Sequence, residues 1–191
     1  MTVGQQRPAT AVLVVDAQNA ALAGTYRREQ VVAAIGRLVE RARAAGAPVV
    51  WVRHQDEEMV PGTAPWQLAD GLVPAPGEPL IGKEWADAFE ATGLERELAA
   101  LGVGRLLVAG AQTDVCIRST LHGGLVRGYH TVLVGDAHTC SDETAQGAPP
   151  PEAVIAHTNL YWSGQRAPGR EGGTTTAEQA DFRLPACSEP A

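Results

Sequence analysis

Asp16, Lys83 and Cys116 stand far apart in the chain, yet their side chains are of the types that together run nucleophilic hydrolysis: a base, a cation and a thiol. Each comes just after a short apolar segment. Asp16 follows 11–15, Lys83 follows Leu80 and Ile81, and Cys116 lies a few residues beyond 105–109, where a helix is expected to begin. In open α/β sheets ligands bind beyond the carboxyl ends of the strands, so residues at these three places would converge on one edge. Singly, each has an ordinary explanation as a turn or capping Asp, a solvated Lys or a packed Cys. Together they set up a specific expectation. A thiol at a helix N-terminus beside a cation has a depressed pKa, which makes Cys116 the most reactive of the three cysteines.

The elements that would position these residues are visible in the apolar pattern. Segments 11–15 and 48–52 are almost wholly apolar, as buried strands of a parallel sheet are, and between them lies a helical pattern over 28–45. In that helix Val31, Val32, Ile35, Leu38 and Val39 fall on one face and Arg37, Glu40, Arg41 and Arg43 on the other. The pattern repeats as helix 94–101, strand 105–109, helix 115–127 and strand 131–134, with a last helix from Pro151 to about 161. Alternating strands and helices predict a doubly wound α/β sheet with helices on both faces. The irregular, Pro- and Gly-rich stretch 55–79 is expected to form part of a substrate pocket or an oligomer contact, and a polar tail from about 164 to fray or pack on a neighbouring subunit.

Composition narrows the classes. A chain of 191 residues with 45% apolar content suits one domain, and a net charge of −7 without Lys or Arg runs argues against nucleic-acid or anionic-membrane partners. A small-molecule substrate is the expected partner. The first ten residues do not resemble a signal peptide, no apolar run would span a bilayer, and three scattered cysteines suggest neither disulfides nor structural zinc, which points to a cytoplasmic protein with reduced thiols.

The segments Leu13-Val14-Val15-Asp16-Ala17-Gln18-Asn19, Gly82-Lys83 and Gly110-Ala111-Gln112-Thr113-Asp114-Val115-Cys116 resemble, in order and spacing, the isochorismatase-like cysteine hydrolases. Val134-Gly135-Asp136-Ala137 is similar to the strand end that follows the nucleophile helix there, and the resemblance extends over about 10–164. It implies a mostly parallel six-stranded sheet and a triad in which Asp16 moves the proton, Lys83 holds thiolate and carboxylate, and Cys116 attacks the carbonyl. It further implies a cis peptide between Ala111 and Gln112, with the backbone N–H groups of Gln112 and Cys116 as an oxyanion hole, and a homo-oligomer. Nicotinamidases of this kind bind a metal through an Asp-x-His segment and a later His. Here the stretch reads His54-Gln55-Asp56, in reversed order and with no second His in the loop, so neither a metal nor another cofactor is expected. His54 would line the pocket or anchor the loop. Trp66, Trp85 and Phe89 would wall the pocket or serve as core or interface residues, and Arg118 would bind a substrate carboxylate or form a salt bridge to Asp114 or a neighbouring helix. His122, His130, His138 and His157 have no ligating spacing. Isochorismatases proper cleave a vinyl ether by protonation and need no thiol, so Cys116 favours an amide, ureido or related acyl substrate. Vinyl ether hydrolysis is the alternative, and a non-catalytic scaffold a third.

Overall fold

A computed structural model describes residues 2–183 of the chain. After a single turn α1 (Val3–Gln6) come β1 (Ala9–Val15), α2 (Arg28–Ala44), β2 (Val49–His54), β3 (Leu80–Lys83), α3 (Leu94–Ala100) and β4 (Val103–Ala111). A π-helical turn (Thr113–Ile117) leads into α4 (Arg118–Val126), followed by β5 (His130–Thr139), α5 (Pro151–Ser163), β6 (Arg166–Ala167) and β7 (Arg170–Thr175). No helix of the described residues is long and apolar enough to cross a membrane.

The strands form one sheet in the order β3-β2-β1-β4-β5-β7-β6. All neighbours are parallel except the β6–β7 pair. The six parallel strands match the expected number, and the two-residue β6 adds a seventh, antiparallel one. Because successive side chains of a strand point to opposite faces, the continuous apolar run of β1 serves two cores. Val12 and Val14 pack with Val31, Ile35 and Leu38 of α2. Ala11, Leu13 and Val15 pack on the other face with Leu94 and Leu98 of α3, Leu121 of α4 and Trp162 of α5.

Over its described residues, the tail departs from its expected behaviour. Instead of fraying, β7 pairs with β5 in the register Thr131↔Gly172 through Val134↔Thr175. A Cβ on Gly172 would come within 2.9 Å of Gln165 Cβ and 3.0 Å of the Trp162 carbonyl, so this strand needs the glycine that makes it read as a turn.

The topology also fixes the site. The chain leaves β1 toward β2 and β3 on one side, whereas β4 starts the run to β5 and β7 on the other, so the strand order reverses between β1 and β4. A crevice opens at such a switch point, beyond the carboxyl ends of the two strands.

Candidate active site

Asp16 is the residue immediately after β1, at that crevice. Its backbone N–H continues the ladder to the Val52 carbonyl (2.9 Å), after which the chain turns with φ 50° at Asp16, a left-handed conformation that Asp adopts more readily than bulkier residues. Across the crevice Gly110 has φ 127°, and a Cβ there would lie 1.8 Å from the Val15 carbonyl oxygen, so only glycine lets β4 approach β1 at this level. Lys83 ends β3 and reaches inward from the sheet edge; its side chain is fully enclosed.

The Lys83 ammonium is the hub. Its Nζ lies 2.7 Å from Asp16 Oδ2, 3.1 Å from the Trp85 carbonyl, 3.2 Å from His54 Nδ1 and 3.3 Å from Cys116 Sγ. The structure thus brings Asp16, Lys83 and Cys116 together, as the sequence predicts. Asp16 Oδ1 is buried and has no hydrogen-bond partner among the described residues. Burial pushes the Asp16 carboxyl above the usual carboxylate range, against the pull of Lys83.

Cys116 lies in the π-helical turn, which is closed by the Ile117 N–H donating to the Gln112 carbonyl (3.0 Å). Such turns are frequent at functional sites because they redirect side chains within a helix. The Ala111–Gln112 peptide bond is cis. The Gln112 side chain ties the turn to its surroundings: Nε2 donates to the Ala21 carbonyl (2.8 Å), and the Ser141 N–H donates to Oε1 (2.8 Å).

The expected depression of the thiol pKa is overturned. Burial pushes Cys116 up to about 12, the negative charge of Asp16 acts in the same direction, and Lys83 offsets only part of it. Cys116 therefore rests as a thiol at neutral pH, beside Asp16. Cys140 is nearly inaccessible and also pushed up by burial, to about 11. Cys187 lies outside the described residues.

The remaining candidates divide. His54 contacts Lys83 through Nδ1 and Asp56 Oδ2 through Nε2 (3.2 Å), so both ring nitrogens are engaged. Its backbone is clamped by Gln18, whose Oε1 accepts from the His54 N–H (2.7 Å) and whose Nε2 donates to the carbonyls of His54 (2.8 Å) and Trp66 (3.0 Å). Gln18 stands in the first quoted motif, but nothing in the sequence announces this task. Trp66 stacks under the Arg53 guanidinium, 3.5 Å from the ring centre. Trp85 contributes its carbonyl to Lys83, while its side chain is 59% exposed. Phe89 is a core residue, 5.6 Å from the Tyr129 ring. Arg118 lines a cavity of about 680 Å³ with Asp114, His122, His157 and Tyr161, which Asp16, Lys83 and Cys116 do not line. It forms no ion pair with Asp114 among the described residues. Nor do these residues hold any group of three His, Cys, Asp or Glu side chains placed to share a metal.

Comparison with known proteins identifies the family. The family model described as the isochorismatase domain matches residues 10–148, a span that includes Asp16, Lys83 and Cys116. A streptothricin hydrolase of Streptomyces noursei is 37% identical over 142 residues, covering 71% of this chain and 56% of that protein. The ureidoacrylate amidohydrolase RutB of Methylobacterium radiotolerans is 34% identical over 185 residues, covering 74% of this chain and 72% of its own length. The chain spans about half the length of the two streptothricin hydrolases it matches, 56% and 50%. Among solved structures, an isochorismatase from Pseudomonas putida KT2440 superposes with a TM-score of 0.80 at 25% identity, covering 93% of this chain and 91% of that one. N-carbamoylsarcosine amidase from Thermoplasma acidophilum shares the fold, with a TM-score of 0.72 at 22% identity over 90% of this chain and 98% of its own. With most of its length matched by the family model and its strand-end residues gathered at one crevice, the chain belongs to the isochorismatase family.

Proposed function

We propose that the protein hydrolyses the C–N bond of a small amide or ureido substrate through a covalent intermediate on Cys116. One observation carries this reading: the buried Asp16 carboxyl group holds Lys83 with one oxygen while the other has no partner among the described residues, and the same ammonium touches the Cys116 sulfur. The resemblance to amidohydrolases such as RutB supports the choice of bond.

In the first step Cys116 Sγ bonds to the substrate carbonyl carbon as the thiol proton passes to Asp16. The carbonyl oxygen takes up negative charge within reach of backbone N–H groups at Gln112 and Cys116. Collapse breaks the C–N bond, and the departing nitrogen takes the proton from Asp16 to leave as amine or ammonia. Water then attacks the thioester carbon, giving its proton to Asp16, and the acid is released as the thiol is restored. Lys83 stays charged throughout and neutralises whichever of Asp16 and Cys116 bears the negative charge.

The reading is tested with a panel of small amides and ureides, with isochorismate alongside, assayed for ammonia and pyruvate with wild type and Cys116→Ser. Thiol-dependent ammonia release is expected. Pyruvate release that survives the substitution would replace this reading by vinyl ether hydrolysis, and no turnover at all would favour the scaffold.

A further inference from the structure

His138 has no part in the chemistry above, yet it is a buried imidazole, 1% exposed, in contact with the turn that carries the nucleophile. One ring nitrogen, Nδ1, lies 2.8 Å from the hydroxyl of Thr113, the first residue of that turn, and the other, Nε2, lies 3.2 Å from Asn159 Oδ1 on α5. The hydrogens can be assigned from the far end. Asn159 Nδ2 donates to the Gly135 carbonyl (3.1 Å), so the amide oxygen faces the imidazole. That oxygen carries no hydrogen, so Nε2 must be the protonated nitrogen. A neutral imidazole has one N–H, which leaves Nδ1 bare and makes the Thr113 hydroxyl the donor. Burial keeps His138 neutral, lowering it to about 4. The Thr113 hydroxyl also contacts the Cys140 side chain; with its hydrogen on Nδ1, the hydrogens from Thr113 through His138 and Asn159 to Gly135 are placed.

We infer that His138 is a positioning residue that fixes the nucleophile turn through Thr113, with Asn159 selecting the imidazole tautomer this requires. The inference rests on the reading of Cys116 as nucleophile. Cys116 owes its place to the backbone of a five-residue turn, its sulfur meeting Lys83 at 3.3 Å and the Asp16 carboxyl group. Gln112 pins the strand side of that turn to Ala21 and Ser141, and Thr113 pins the next residue to β5 and α5. Without the second pin the turn could shift by a fraction of an ångström with no loss of core. Misplacement on the order of 1 Å costs about 100-fold in rate in comparable settings.

The experiment compares Thr113→Val, which keeps the shape and removes the hydroxyl, with Thr113→Ser, which keeps the hydroxyl. With a substrate from the panel, Thr113→Val is expected to lower kcat by about 10- to 100-fold with KM changed less than threefold, while Thr113→Ser stays within about threefold of wild type. A purely structural role would lower the yield or melting temperature and leave kcat per folded molecule intact. The tautomer is read independently by long-range nitrogen–proton NMR of His138, where wild type should show Nε2 protonated and Asn159→Leu should lose that preference. The alkylation rate of Cys116 by iodoacetamide should shift at least threefold in Thr113→Val and not in Thr113→Ser, a readout that needs no substrate. A protonated Nδ1 in wild type would overturn the inference. So would Thr113→Val with both kcat and alkylation within threefold of wild type. If wild type turns over nothing, the hydrolase reading fails separately, and the tautomer and alkylation results still decide this one.

Discussion

Lys83 has three N–H hydrogens and four neighbours that can accept them, Asp16, the Trp85 carbonyl, His54 and Cys116, of which the sulfur is the most distant. In the resting thiol state the sulfur is also the weakest acceptor. Transfer of its proton to Asp16 reverses the ranking, because the charge moves from carboxylate to sulfur while the ammonium stays put. Residue types and strand-end positions made this cluster legible in the sequence. The direction of the Cys116 shift was not, because it depends on how deeply the three groups are buried together. With the thiol near 12, only about one molecule in 10⁵ is thiolate at pH 7. Alkylation of Cys116 by iodoacetamide should therefore rise about tenfold per pH unit past pH 8.5, the ordinary thiol value, without levelling off. Burial is the main cause of the raised thiol and the negative charge of Asp16 adds to it, so at any one pH Asp16→Asn should alkylate faster than wild type; equal or slower labelling would contradict the assigned electrostatics. The same substitution should lower turnover by at least about 100-fold, as loss of a general base does. It is not a silent change for the fold. It strands a buried ammonium, at a cost of about 3–5 kcal/mol in denaturant unfolding, and the double variant Asp16→Asn/Lys83→Met should recover much of that.

At the level of elements, apolar periodicity located β1, β2, α2, α3 and α5 to within a few residues, because each buries one stripe or both faces against the sheet. Besides the short α1 and β6, two elements escaped it. The turn over Thr113–Ile117 reads as the start of an ordinary helix, since the difference between π and α geometry is one residue per turn and leaves no compositional trace. β7 escaped because it carries Gly172, demanded by the close approach of Trp162 on α5, and Gly173 beside it, which take the places of the β-branched residues that mark a strand. Gly172→Val supplies the missing propensity and should nonetheless destabilise by about 1–3 kcal/mol in urea unfolding, through overpacking against Trp162 and Gln165. A neutral or stabilising effect would mean that β7 is not docked as described. His138 and Gln18 were illegible for a related reason: each acts through hydrogen bonds to backbone or side chains distant in sequence, and spacing carries no sign of these.

For the molecule as a whole, alternating strands and helices were enough to predict a doubly wound sheet, and the rule for its switch point was enough to say where ligands belong. Which strands flank the switch was not available until the order β3-β2-β1-β4-β5-β7-β6 placed β1 beside β4. That adjacency brings together Asp16 and the turn bearing Cys116, which are a hundred positions apart in the chain. The central claim is that this arrangement makes Cys116 a covalent nucleophile toward an acyl carbon. It is tested most directly by quenching wild type and Cys116→Ser during incubation with each member of the amide and ureide panel and measuring the intact mass and the modified residue. Wild type should carry the acyl group on Cys116 with at least one substrate that also releases ammonia, and Cys116→Ser should show neither. Ammonia release by Cys116→Ser at a rate comparable to wild type, or turnover with the acyl group on another residue, would contradict it.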